Sequence, residues 1–323
     1  MLRRMIAAAA LAALASAAYA QAPERLVFST DWLAEAEHGG FYQAVAEGIY
    51  RRHGLDVTIE QGGPQVNGLQ LVAAGRIDVA MGDALQVLAA NEQGVPLVAI
   101  AATFQKNPTV IIAHPDVGAL ADLKGKPIAI GAASNTTFWP WLKARYGFTD
   151  AQKRPYGFSV QPFLADPALS QQGFATSEPF TIEKAGVVPK VFLLADLGYP
   201  PYSEVLIVSR DMLAKRPALL ARFVEASAEG WKSYLANPAP GDALIRKANP
   251  QMTDELIAYG HRKLKEYRIV DGGDAATHGL LSMTDAHWQA TLAFLREAGL
   301  AKAGVDYTKA WTLDFARDTR VTP

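Results

Sequence analysis

A chain of 323 residues with 31 Lys and Arg against 32 Asp and Glu, a formal net charge of -1, has no overall electrostatic reason to seek nucleic acid or an anionic membrane. Half of its residues are hydrophobic, enough for one large core or two, and chains of this length commonly divide into two lobes. The absence of cysteine excludes disulfides, thiolate metal sites, cysteine nucleophiles and a lipid-modified cysteine at a cleavage site.

Met1-Leu2-Arg3-Arg4-Met5 is a basic start, and residues 6–18 form an apolar Ala/Leu-rich run shorter than the ~20 residues that span a bilayer. Ala18-Tyr19-Ala20 has the small-x-small pattern that signal peptidases cut after. The expectation is a signal peptide over 1–20, cleavage after Ala20, and an exported, unlipidated protein that is periplasmic in a Gram-negative source.

Residues 26–30 read as a strand. The stretch from Ser29 to Tyr42 then sets an aromatic (Trp32), three carboxylates (Asp31, Glu35, Glu37) and an imidazole (His38) on a strand-to-helix turn, where open α/β sheets place ligands. A helix is predicted over 41–52, a strand of period two over 55–60, and a helix over 65–74 stopped by Gly75. Next come a strand over 76–82, a helix over 84–93 capped by Asp83, and an apolar strand over 95–102. Such alternation implies a mainly parallel sheet with right-handed crossovers.

The runs 109–113 and 203–209 resemble each other and read as strands carrying the chain into and out of a second lobe. This divides the mature chain into lobe I (21–106 and 203–323) and lobe II (107–202), with a cleft between them. Within lobe II, residues 127–130 read as a strand. Pro140 fits only a first helical turn, so the following helix should begin between Asn135 and Trp139. The remainder is predicted helical over 211–214, 218–235, 254–267 and 284–298.

Besides the Asp31-Trp32 turn, three segments place polar atoms at helix starts: Met81-Gly82-Asp83-Ala84, Ser134-Asn135-Thr136-Thr137 and Ala175-Thr176-Ser177-Glu178-Pro179. Helix N-termini expose unpaired N–H groups, although capping alone accounts for such residues at any one place. Trp32, Trp139, Tyr199 and Tyr202 suit a planar ligand, with core packing the alternative for each. Asp31, Glu35, Glu37, Asp83 and Glu178 make these turns acidic, and Lys106 is the one candidate cation. That favours a ligand with N–H donors or a cationic ring, while a small oxyanion held by backbone N–H groups stays open. Glu35, Glu37 and His38 lie too close together on one turn to point at a common metal ion. No Ser-His-Asp order, phosphate loop or dinucleotide fingerprint supports catalysis, so neither an enzyme nor a cofactor is expected.

The Asp31-Trp32 turn with His38-Gly39-Gly40-Phe41-Tyr42, Glu47-Gly48-Ile49-Tyr50, Gly54-Leu55-Asp56-Val57, Gly75-Arg76-Ile77-Asp78-Val79-Ala80, Ala121-Asp122-Leu123-Lys124-Gly125-Lys126 and Ser177-Glu178-Pro179 together resemble a known group. It is the periplasmic substrate-binding proteins of ATP-binding-cassette importers that include the alkanesulfonate receptors and are related to fungal thiamin-pyrimidine synthases. The resemblance implies an α/β, two-lobed periplasmic-binding-protein type II fold, each lobe a mainly parallel sheet flanked by helices. Its pattern is nearest to receptors for thiamin-precursor pyrimidines, which implies that Trp32 stacks on the ligand ring while His38 and Glu178 meet its polar edge. Expected ligand contacts are Asp31, Trp32, Glu37, His38, Asp83, Gln105, Asn135, Thr136, Thr137, Trp139, Glu178 and Tyr202. The implied partners are a small-molecule ligand and a transporter permease, with the receptor a monomer. A sulfonate, nitrate or riboflavin-like solute is the alternative ligand, and a pyrimidine synthase the alternative class. The synthase carries a cysteine cluster that this chain lacks.

Overall fold

The computed structural model describes residues 22–63, 66–157, 159–317 and 319–323. The signal-peptide reading of 1–20 lies outside them. Among the described residues no helix is long and apolar enough to cross a membrane.

The described strands are β1 (Glu24–Ser29), β2 (Leu55–Glu60), β3 (Val79–Gly82), β4 (Leu97–Phe104), β5 (Thr109–Ala113), β6 (Ile128–Ile130), β7 (Lys153–Pro155), β8 (Ser170–Phe174), β9 (Lys190–Leu193) and β10 (Ser203–Ser209). They form two five-stranded sheets of order β2-β1-β3-β10-β4 and β7-β6-β8-β5-β9. In the first, β2, β1 and β3 are parallel and β10 runs against both β3 and β4. In the second, β7, β6 and β8 are parallel and β5 runs against both β8 and β9.

Each sheet is therefore mixed, with one reversed strand among otherwise co-directional ones. The reversed strand is in both cases the one that follows a crossing, β5 after β4 and β10 after β9. The remaining strands point their C-terminal ends toward the space between the sheets, so a chain that arrives there must start its strand at that end and run away from it. The crossings themselves are the short segments 105–108 and 198–202.

All eight residues of β4 are buried, as its unbroken apolar run requires of a strand covered on both sides. The C-terminal segment covers its outer edge: Ala102 N–H donates to Leu281 O at 3.2 Å, and Gln105 N–H to Ile269 O at 2.7 Å. Strands β7, β8 and β9 were not legible in the sequence. Ser170-Gln171-Gln172-Gly173-Phe174 is polar in the middle of a sheet, because its glutamines find partners there and one of them faces the cleft.

The helix expected over 41–52 is two helices, Gly39–Ala46 and Ile49–Arg52, divided where Gly48 takes a left-handed φ of 66°. Gly39–Ala46 packs against the long helix Pro217–Ala236 at backbone contact. A Cβ on Gly40 would stand 2.2 Å from the Trp231 ring, and one on Gly230 2.3 Å from Gly40 O. The Gly39-Gly40 pair thus serves helix packing. Helix Asp254–Glu266 lies against both lobes: beside residues 36–38 and, through Lys184–Glu255 at 2.6 Å and Phe180–Tyr259 ring contact at 5.1 Å, beside helix Glu178–Lys184. A further helix, Ala239–Ala248, occupies a region the sequence reading left between breaks.

Candidate functional site

Between the two sheets lies a cavity of about 890 Å³, within the range of small-molecule sites. All four acidic or polar turns border it, through Asp31 and Trp32, Gly82 and Asp83, Gly131 to Ala133 with Thr136 and Thr137, and Ser177 and Glu178. The start of β10, the ends of β7 and β8, and the segment with Gly63 and Val66 to Leu69 also line it.

The Trp32 turn is fixed through its backbone. Thr30 Oγ1 donates to Trp32 O at 2.6 Å, Gly62 N–H to Trp32 O at 3.1 Å, and Ala34 N–H to Gln61 Oε1 at 2.7 Å. Asn249 Nδ2 reaches Ala34 O at 2.9 Å and ties the turn to the C-terminal helices. His38 is 1% exposed and stands behind the wall. Its Nδ1 accepts the Glu35 N–H at 3.3 Å, so Nε2 carries the proton and donates to Asp31 Oδ1 at 3.0 Å. Glu37, 2% exposed, is also behind it and accepts from the Thr176 hydroxyl of the other lobe. These two residues orient the wall and join the lobes; the cavity itself meets Asp31, Trp32 and Glu35.

Asp83 caps helix Ala84–Glu92 by accepting from Leu85 N–H at 2.8 Å, as its place in the sequence predicted. Burial nevertheless pushes its pKa up to about 7, against the lowering effect of Leu85 N–H and the Asn107 side chain. Across the cavity, Gln172 Oε1 accepts Gly131 N–H at 2.6 Å and Ser134 Oγ at 2.7 Å, which fixes the turn that carries Thr136 and Thr137. Glu178 is held by three donors: Tyr156 hydroxyl at 2.6 Å, Phe174 N–H at 2.8 Å and Ser177 Oγ at 2.6 Å. Gly173 permits this approach, since a Cβ there would lie 2.9 Å from Glu178 Oε2.

Two cavity carboxyls escaped the list of expected contacts, Glu35 and Glu204. Burial, then Glu37, raises Glu35 well above the usual carboxylate range; burial, then Asp31, does the same for Glu204. Burial also raises Glu37. Among the described residues the cavity is bordered by five carboxyls, Asp31, Glu35, Asp83, Glu178 and Glu204, and by no Lys, Arg or His. Nor are any three His, Asp or Glu among the described residues grouped to hold a metal ion. The signal for Glu204 was present, a lone acid in the otherwise apolar run Val205-Leu206-Ile207-Val208.

Besides Glu37 and His38, four further expected contacts do not border the cavity. Trp139 is 1% exposed and donates through Nε1 to Asp150 at 2.8 Å. Tyr202 is buried, with its ring stacked on His287 at 3.6 Å and its hydroxyl given to Asp274. Gln105 uses its amide on Ala102 O and Ser282 O, and Asn135 is exposed and accepts from Lys153 at 2.8 Å. Burial of a large aromatic is favourable wherever it occurs, and adjacency in sequence does not say which side of the backbone faces the cleft. Lys106 pairs with Asp196 at 2.6 Å, away from the cavity wall.

A family model described as NMT1/THI5 like matches residues 35–240. The chain is 27% identical over 303 residues to the riboflavin-binding protein RibY of Chloroflexus aurantiacus, covering 90% of this chain and 86% of that one. It is 25% identical over 230 residues, 68% of each chain, to the formylaminopyrimidine-binding protein of Halalkalibacterium halodurans. It is 22% identical over 249 residues to the 4-amino-5-hydroxymethyl-2-methylpyrimidine phosphate synthase of Candida albicans, covering 72% and 74% of the two chains. Among solved structures, the alkanesulfonate-binding protein SsuA of Xanthomonas axonopodis pv. citri superposes with a TM-score of 0.67 at 13% identity, over 90% of this chain and 98% of that one. That likeness concerns the two-lobed fold.

Proposed function

The chain belongs to the NMT1/THI5-like family, and on that premise we propose that it is a solute-binding receptor that delivers a small planar heteroaromatic ligand to an ABC importer. One observation carries the reading: a cavity between two sheets joined by two short crossings, bordered by four strand-to-helix turns and an indole. A ligand that touches both lobes stabilises their closed arrangement by its extra contacts there, and hinge motion at 105–108 and 198–202 would open it. The lobe division at 107–202, the export of the chain to the periplasm and docking on a permease belong to this proposal. The binding-protein relatives support it. The synthase relatives mark the competing reading, which the lack of cysteine disfavours.

The test is calorimetry and thermal shift with 4-amino-5-hydroxymethyl-2-methylpyrimidine, riboflavin, benzenesulfonate and nitrate. A ligand of the folded state raises the melting midpoint by mass action. The expected result is saturable binding of one heteroaromatic, with the compound recovered unaltered after release. Conversion of the bound compound would favour the synthase, and failure of every compound to bind would remove the receptor reading.

A further inference from the structure

We propose that Gln86 and Gln172, one from each lobe, select the ligand by donating N–H to carbonyl acceptors on two of its edges, so that the cavity takes a fused heterocyclic dione. The inference rests on the cavity being the receptor site and names the class of compound that fills it.

Both side chains border the cavity, and neither figures among the contacts expected from sequence. Gln86 lies in the first turn of helix Ala84–Glu92, where its Oε1 accepts Asp83 N–H at 3.0 Å. Gln172 shares the cavity face of β8 with Phe174, and its Oε1 accepts Gly131 N–H at 2.6 Å and Ser134 Oγ at 2.7 Å. A backbone N–H can only donate, so the atom that meets it is the amide oxygen, and each NH2 group lies on the other branch. The orientation of both amides is thereby decided.

Among the described residues neither Nε2 donates to a protein acceptor, and neither is sealed from the cavity. Glycines make room for both amides. A Cβ at Gly82 would stand 2.9 Å from Gln86 Oε1, and one at Gly131 3.2 Å from Gln172 Nε2. Water satisfies such donors in an open cleft; once a ligand displaces it, each donor left without a partner weakens binding. The ligand must therefore bring acceptors to both lobes.

The charge of the wall decides which acceptors these are. Among the described residues five carboxyls and no cation border the cavity, which disfavours sulfonate or carboxylate oxygens and leaves the neutral carbonyl. The acids are supplied with donors from within the protein: Asp31 by His38 and by the Glu204 carboxyl, Asp83 by Leu85 N–H, and Glu178 by three groups. A volume of about 890 Å³ encloses a lone pyrimidine ring poorly, and a fused system is the planar frame that fills more of it.

The experiment compares lumazine, a pteridine dione, with 2,4-diaminopteridine, the same frame with amino groups in place of the carbonyls, by calorimetry at neutral pH. Wild type is expected to bind lumazine ~10-fold or more tightly than the diamine. Gln86→Glu and Gln172→Glu keep the oxygen that each backbone N–H uses and exchange the NH2 for an acceptor; Glu is itself a regular capping-box residue at the first of these places. Each variant, shown by its melting midpoint to be folded, is expected to bind lumazine ~10-fold or more weakly and the diamine more tightly. A purely structural fault would weaken both compounds alike and leave their ratio unchanged. An unchanged ratio in either variant, a wild-type preference for the diamine, or no binding of either compound by wild type would each overturn the inference. In the last case, binding of any of the four compounds named for the receptor reading keeps the receptor and rejects the dione.

Discussion

The backbone on both sides of Trp32 is tied down by Thr30, Gln61, Gly62 and Asn249, so removing the indole leaves the turn standing. Trp32→Ala is therefore expected to weaken the heteroaromatic ligand at least ~10-fold by calorimetry. The melting midpoint of the empty protein should stay nearly unchanged, and equal affinity in the variant would end the stacking role. Glu178 is the opposite case, because its oxygens anchor Tyr156, Phe174 N–H and Ser177. Glu178→Gln replaces an acceptor by a donor facing donors, and should cost roughly 1–3 kcal/mol of stability in denaturant titration, independent of ligand. A loss of affinity with no loss of stability would instead make Glu178 a ligand contact first. His38, one residue removed from the cavity wall, acts by holding Asp31 in one orientation through a defined tautomer.

At the scale of elements, the contact between Gly39–Ala46 and Pro217–Ala236 holds the Trp32 turn onto the C-terminal helices. Phe41 meets the Trp231 ring edge-on at 5.9 Å, and the two backbones approach at Gly40 and Gly230. A methyl at Gly230 would meet main chain, Gly40 O, which cannot rotate away as a side chain can. Gly230→Ala should thus destabilise by about 1–3 kcal/mol, the usual cost of overpacking, seen as a lower denaturant midpoint with unchanged slope. A neutral effect would mean that the helices separate freely. Helix Asp254–Glu266 touches residues 36–38 of one lobe and helix Glu178–Lys184 of the other.

At the scale of the molecule, two sets of carboxyls oppose each other in pH. Glu35, Glu37, Asp83 and Glu204 have folded-state pKa values above those of free carboxyls. Their contribution is present below about pH 4 and is lost as pH rises through the folded values, about 7 for Asp83. Asp150, lowered by Trp139 and then Lys153, and Glu24, lowered by Arg222, contribute in the other direction. Asp274, despite burial, is brought to about 2 by His287, Tyr202 and Thr284. These contributions are lost in acid. The empty protein should accordingly melt highest in mildly acidic buffer and lower above about pH 7. Glu204→Gln should flatten the alkaline limb, raising the midpoint more in alkaline than in acidic buffer. A wild-type midpoint that rises steadily from acid to alkali would contradict this account of the cavity.

What the sequence determined by itself was local. Strand-helix alternation, the Asp83 cap, the placement of Pro140 in a first turn and the polarity of the four turns follow from periodicity and from the needs of helix ends, which act over a few residues. These were enough to specify two sheets and an acidic cleft. The tertiary structure alone decided which side chains reach that cleft. Trp139 and Tyr202 turn into packed surroundings because large rings gain most from burial, and Glu37 and His38 step back to brace Asp31 and the facing lobe. Glu204 comes forward because a left-handed residue at the start of β10 breaks the alternation that a strand pattern assumes. Such a reversal is enforced by neighbours distant in the chain, and no short window of sequence contains them.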